Sequence, residues 1–168
     1  MLIRSYGLFW RAAEIDWNPG QGMKGAFRLL GRSGMNLPGL RIADFRYQQG
    51  IYILYGNYGP YYVGLTRKQG LGKRLKDHLT DSHADLWDRF SWFGFQSVLR
   101  LRGQDGICKL RKLSKVSLGK THKEIGDIEA LLIRAMGLNN ISKMNFASAE
   151  EWVQVEANEI QKYLQKVT

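Results

Sequence analysis

The chain has 168 residues, 44% of them hydrophobic, which suits one compact domain, or a core domain with an added lobe, and leaves two independent domains each marginal. Twenty-five basic against fifteen acidic residues give a net charge of +10 and a pI near 9.8, an excess that points to a polyanionic partner, nucleic acid ahead of a membrane surface. No apolar run is long enough to span a membrane, the single cysteine (Cys108) excludes an intramolecular disulfide and argues against a thiolate zinc site, and the first residues lack the marks of a signal peptide, so a cytoplasmic location is expected.

Taken in chain order, residues 1–49 form an N-terminal extension packed on the core. Leu2 to Arg11 alternates and predicts a strand, Asn18-Pro19-Gly20 and Pro38-Gly39 predict turns, and Arg41 to Tyr47 predicts a short strand. Residues 50–147 carry the motifs. Gly50–Tyr55 and Tyr61–Thr66 are β-rich runs around Gly56-Asn57-Tyr58-Gly59-Pro60, a hairpin with a five-residue loop. Gly70–Thr80 predicts a helix with Leu71, Leu75 and Leu79 on one face, a short helix is expected over Ala84–Arg89, and Phe90–Val98 predicts a third strand. Residues 99–120 read as an irregular basic segment. Thr121-His122-Lys123-Glu124 matches a capping box opening a helix with Ile125, Ile128, Leu131, Leu132 and Met136, and Gly137 is its stop signal. Residues 148–168 predict a last helix that begins at the second capping box, Ser148-Ala149-Glu150-Glu151. The five tryptophans are scattered and are assigned to packing.

Chemistry concentrates in the middle block. Strand alternation puts Tyr52 and Leu54 on one face, and Tyr62, Gly64 and Thr66 on one face of the partner strand, so the two tyrosines can lie close. Gly64 removes a side chain there, and a ligand's backbone can approach. Tyrosine also simply favours strands, and Tyr55, Tyr58 and Tyr61 make this hairpin tyrosine-rich in any case. Arg74 and His78 are spaced i to i+4 and share a helix face beside the leucine stripe. An arginine there can grip a phosphate with its two-pronged donor set and a histidine can relay a proton near neutral pH, although an exposed arginine and a boundary histidine satisfy the same pattern. Glu129 is flanked by apolar residues on its helix, a costly place for a carboxylate unless it is ion-paired or holds a hard cation such as Mg²⁺.

The order and wording of these pieces carry more than each alone. Gly50-Ile51-Tyr52, then Tyr62-Val63-Gly64, then Arg74-Leu75-Lys76-Asp77-His78, then Ile128-Glu129-Ala130-Leu131-Leu132-Ile133 resembles the GIY-YIG nuclease family over residues 50 to about 146, with valine in place of the commoner isoleucine in the second triplet. The resemblance implies an α+β fold, a small antiparallel three-stranded sheet flanked by helices, here with an N-terminal β-rich lobe and a C-terminal helix. It implies an endonuclease that hydrolyses DNA phosphodiester bonds with Mg²⁺ (or Mn²⁺). Glu129 would hold the metal, Arg74 would bind the scissile phosphate, and Tyr52 would act as general base or help orient the water. Tyr62 would position the water or the phosphate, and His78 would share proton handling. The family's asparagine after the glutamate helix has two candidates, Asn140 and Asn145, with Asn139 adjacent.

A basic track is expected for DNA. It joins Arg67, Lys68 and Lys73 around the hairpin exit to Arg100, Arg102, Lys109, Arg111, Lys112 and Lys115, followed by Lys120 and Lys123, against a single acid, Asp105. A solvated loop would look the same. The short flanks suit a compact standalone nuclease, able to work as a homodimer for double-strand cuts. The alternatives are a catalytically inactive DNA-binding module, or a protein-interaction module, on the same fold.

Overall fold

The computed structural model describes residues 2–20, 27–66, 69–113, 121–137, 146 and 148–168; of residues 121–123, 125, 126 and 129 it describes the backbone alone. Alternating large and small side chains make β1 (Ser5–Arg11) a strand with residues committed to both faces. After it come β2 (Leu30–Ser33), β3 (Arg41–Asp44), the hairpin β4 (Gly50–Gly56) and β5 (Gly59–Thr66), helix α1 (Leu71–Asp77), and β6 (Arg89–Gly94). The chain continues through β7 (Val98–Arg102), β8 (Cys108–Leu110), helix α2 (Thr121–Ala135), the two-residue strands β9 (Glu150–Glu151) and β10 (Val153–Gln154), and helix α3 (Ile160–Val167). No helix among the described residues is long and apolar enough to cross a membrane.

The strands form two mixed sheets of five, in the orders β5-β4-β6-β1-β9 and β10-β2-β3-β8-β7. The α+β class is as expected, but the expected three-stranded sheet is only part of a larger one. β5, β4 and β6 are antiparallel neighbours, β1 adds to β6 antiparallel, and β9 adds to β1 parallel. A bare β6 edge would leave backbone donors and acceptors open beside Trp92 and Phe93, and the segment before the motifs covers it. Chain that reads as an N-terminal lobe thus supplies β1 to the first sheet and β2 and β3 to the second.

Side-chain alternation on the first sheet separates two cores. Tyr52, Leu54, Phe90 and Trp92 face inward with Trp10, meeting Leu71 and Leu75 of α1, Ala43 and Cys108 of the second sheet, and Phe45 just after β3. Ile53, Tyr55 and Phe93 point the other way, against Ala130, Leu131 and Ala135 of α2. The second sheet's outer face packs Leu30 and Ile42 on Tyr163 of α3. Helices α1 and α2 therefore lie on opposite faces of the first sheet. Trp10, Trp92 and Trp152 are fully buried, Trp87 is buried and Trp17 partly so, in keeping with a packing role.

Four local expectations are corrected. The hairpin loop is not five residues: Gly56 pairs with Gly59, leaving Asn57-Tyr58 as the turn, and a bulge opposite Leu54 and Tyr55 absorbs Tyr61. The helix expected over Ala84–Arg89 does not form: Ala84 and Asp85 end a turn, Leu86, Trp87 and Asp88 are irregular, and Arg89 already belongs to β6. The segment read as irregular contains β7 and β8. Its arginines and lysines mask the pattern because β7 is an edge strand with little to bury, where charge guards against unwanted pairing. The last helix starts at Ile160 and not at Ser148. Glu150 is drawn away from capping by Arg41 (2.7 Å) and the Ser33 hydroxyl (2.9 Å), and the capping box that forms is Glu156 with Glu159.

Candidate active site

The β4–β5 register puts Tyr52 opposite Gly64 and Leu54 opposite Tyr62, on the face that meets α1. The two tyrosine rings are 6.2 Å apart, centre to centre. Gly64 has a different purpose from the expected one. A Cβ on Gly64 would fall into the Tyr52 ring, against its Cζ and hydroxyl, so the space that glycine opens is filled by Tyr52 itself.

Helix α1 begins just after Gly70, whose φ of +77° disfavours a side chain and where an added Cβ would run into the Arg46 carbonyl. Leu71 and Leu75 go into the core, which aims Arg74 and His78 at the tyrosines. His78 is buried. Its Nε2 lies 2.8 Å from the Tyr52 hydroxyl and its Nδ1 2.7 Å from Asp81 Oδ2. An ionised carboxylate only accepts hydrogen bonds, so the Nδ1 proton of neutral His78 belongs on the Asp81 side. The Nε2 lone pair then accepts the Tyr52 O–H. The indole N–H of Trp87 donates to the His78 carbonyl (3.2 Å) and holds the turn in place.

Electrostatics sharpen this arrangement. Burial pushes the Tyr52 phenol up to about 12, against the pull of the Arg74 guanidinium, which favours the phenolate, and with a further push from the neighbouring Tyr62. Arg74 is half-buried, and the two phenols and Asp77 hold its proton more firmly, outweighing burial. Burial disfavours ionised Asp81, yet the His83 backbone N–H (2.8 Å to Oδ1) and the two imidazoles hold its carboxyl below the usual range.

Two further residues belong to this neighbourhood and were not singled out by sequence, although His78-x-x-Asp81-x-His83 in the turn after a short helix was the available signal. His83 lies 4.4 Å from the Tyr62 ring and 4.8 Å, edge-on, from His78, and its Nδ1 is 3.0 Å from the Tyr61 hydroxyl.

Tyr52, Tyr62, Arg74 and His78 thus come together. Glu129 is carried by α2, which packs on the opposite face of the sheet, and its side chain lies outside the described residues, as do Asn139, Asn140, Asn145, Arg67, Lys68, Lys115 and Lys120 and the side chain of Lys123. Lys73 is exposed and pairs with Asp77 (3.1 Å). Arg100, Arg102, Lys109, Arg111 and Lys112 are exposed on or beside β7 and β8, at the edge of the second sheet and not on the tyrosine sheet, and Arg102 donates to the Leu40 carbonyl (2.8 Å). The described donors around Tyr52 do not suit Mg²⁺, which takes oxygen ligands: they are phenols, two imidazoles and one carboxylate already engaged by His78 and His83. The chain matches no protein-family model, no curated protein and no solved structure.

Proposed function

We propose that the protein is a DNA endonuclease of the GIY-YIG kind, hydrolysing phosphodiester bonds at the face formed by Tyr62, Arg74, Tyr52 and His78. The observation that carries this is the hydrogen-bonded series Tyr52–His78–Asp81 beside the guanidinium of Arg74. Half-buried Tyr62 and Arg74 are what a phosphodiester meets first, and Tyr52 lies behind them with no exposed surface. Arg74 grips the scissile phosphate and offsets the charge that develops on its oxygens. Tyr62 orients the attacking water. A phenol with a pKa near 12 is mostly neutral at pH 7 and does not act as a standing base. Instead, as the water's proton reaches the Tyr52 oxygen by way of Tyr62, the Tyr52 proton moves to His78 Nε2, and Asp81 stabilises the imidazolium that results.

Mg²⁺ or Mn²⁺ is proposed as the cofactor and would polarise the phosphoryl oxygen; the resemblance assigns it to Glu129, whose helix packs on the face of the sheet opposite Tyr52, so Glu129 is tested separately from Arg74 and His78. Exposed Arg100, Lys109, Arg111 and Lys112 are proposed to hold flanking phosphates.

The deciding experiment incubates supercoiled plasmid with the protein, its Arg74→Ala, His78→Ala and Glu129→Ala variants, with Mg²⁺, Mn²⁺ or a chelator. Nicking that needs a divalent ion and is lost in Arg74→Ala and His78→Ala is the expected result. Full cutting by Arg74→Ala would sink the assignment. Salt-sensitive DNA binding with no cleavage in any metal would leave an inactive DNA-binding module, and Glu129→Ala with undiminished cutting would remove Glu129 from the site.

A further inference from the structure

The turn after α1 adds His83, which the proposed hydrolysis does not use, to His78 and Asp81, which it does. Nitrogen and oxygen donors of His78, Asp81 and His83 lie within 4.8 Å of one another. Each imidazole has one nitrogen held by a tyrosine hydroxyl: His78 Nε2 by Tyr52 at 2.8 Å, and His83 Nδ1 by Tyr61 at 3.0 Å. That is the arrangement of metal-ligating histidines, in which an outer partner orients the ring through one nitrogen and leaves the other for the ion. The nitrogens so left are His78 Nδ1 and His83 Nε2, with Asp81 beside them. The turn is braced by the His83 backbone N–H on Asp81 Oδ1 and by Trp87 on the His78 carbonyl. His78 is buried, whereas His83 is half-buried and Asp81 is exposed, so an ion can enter from solvent without opening the core.

We propose that His78, Asp81 and His83 bind a borderline transition-metal ion of the Zn²⁺ or Co²⁺ type, and that its binding switches off proton transfer from Tyr52. Two imidazoles and a carboxylate match the ligands such ions prefer, with water completing the coordination, and they do not match Mg²⁺. The 2.7 Å between His78 Nδ1 and Asp81 Oδ2 is a hydrogen-bond distance, and the metal replaces the proton now shared there. In neutral His78 that proton moves to Nε2, so none is lost or gained overall. Nε2–H then donates to the Tyr52 oxygen and has no lone pair left to take the Tyr52 proton. The binding itself stands apart from the nuclease proposal, and only the effect on cleavage rests on it.

The test titrates the full chain with Co²⁺, read by its visible absorption, and then displaces it with Zn²⁺. Saturable Co²⁺ bands are expected, bleached by Zn²⁺, abolished in Asp81→Asn and His83→Gln, and shifted to higher concentration, roughly 10-fold, in Tyr61→Phe, which removes only an outer partner. Circular dichroism of each variant checks that it is folded. Where the protein cleaves DNA, Zn²⁺ should inhibit the wild type, and Tyr61→Phe should need roughly 10-fold more Zn²⁺ for the same fractional inhibition. No saturable band, or one unchanged in His83→Gln and Tyr61→Phe, overturns the metal site. Bands as expected with Zn²⁺-insensitive cleavage overturn the switch alone, and absence of any cleavage touches only the nuclease proposal.

Discussion

Replacing Gly64 with alanine drives a methyl group into the ring of Tyr52. In an ordinary strand the exchange would help by roughly 0.5–1 kcal/mol, because glycine loses more backbone freedom on folding. Here the sign should reverse. Tyr52 is fully buried and its hydroxyl is tied to His78, so the ring has nowhere to retreat without abandoning that bond. Forcing extra volume into a filled core costs about 1–3 kcal/mol, and losing the hydrogen bond adds about 1 kcal/mol. The sum, about 2–4 kcal/mol, corresponds to a Tm lowered by roughly 5–15 °C in a domain of this size. Urea unfolding of Gly64→Ala, Tyr52→Ala and the double variant provides the cycle. With the Tyr52 ring gone the methyl has room, so Gly64→Ala should cost less than about 0.5 kcal/mol in that background, leaving a coupling of about 1.5–4 kcal/mol. If Gly64→Ala costs the same in both backgrounds, or stabilises the wild type, Tyr52 does not occupy the space over Gly64.

Asp81→Asn frees the His78 tautomer while keeping the side chain's shape; cleavage should fall by ~10²-fold or more with DNA affinity unchanged, Asp81→Glu should recover part of it, and full activity in Asp81→Asn would remove Asp81 from the proton path. Burial, reinforced by Glu151, pushes the buried Tyr6 phenol up to about 12. Below pH 10 both folded and unfolded chains keep that proton and the full stability is present; as pH rises from about 10 towards 12 only the unfolded chain ionises, so Tyr6 should remove about 2–3 kcal/mol over that window. Tyr6→Phe should flatten this part of the profile in urea midpoints taken across it, and an unchanged slope would contradict the assignment. DNA affinity should fall steeply with salt, and neutralising Arg100, Lys109, Arg111 and Lys112 together should reduce the log–log slope by about 3, at ~0.7–0.9 per phosphate contact, whereas an unaltered slope would return these residues to a merely solvated edge.

Much of the tyrosine face is legible in the chain because it depends on local periodicity. Alternation alone places Tyr52, Leu54, Tyr62 and Gly64 on one side of a hairpin, and i to i+4 spacing places Arg74 with His78. The leucine stripe of α1 is equally plain, and Leu71 and Leu75 do fill the core. Local rules mislead where a distant partner outbids them. Ser148–Glu151 has the wording of a helix start, but Glu150 is held by Arg41 and Ser33, more than a hundred residues away in sequence, and the segment becomes strand. The arginines of β7 look like a loop because this edge strand buries little, and its Leu99 and Leu101 are not set in a core.

The sequence by itself determined the hairpin, the short helix that follows it, the shared face of two tyrosines, an arginine and a histidine, and the excess of positive charge, since each is a matter of spacing or composition. Only the tertiary structure decided what surrounds them. It closes the space over Gly64 with Tyr52 and buries Tyr52 behind Tyr62. It brings Asp81 to the far nitrogen of His78, and it sets the helix of Glu129 and the β7–β8 cations on other surfaces. The physical reason is that burial and hydrogen-bond pairing are settled by residues far apart in the chain. A tyrosine's neighbours across a sheet, and the buried pairing of Tyr52 with His78, are fixed only once both cores have packed.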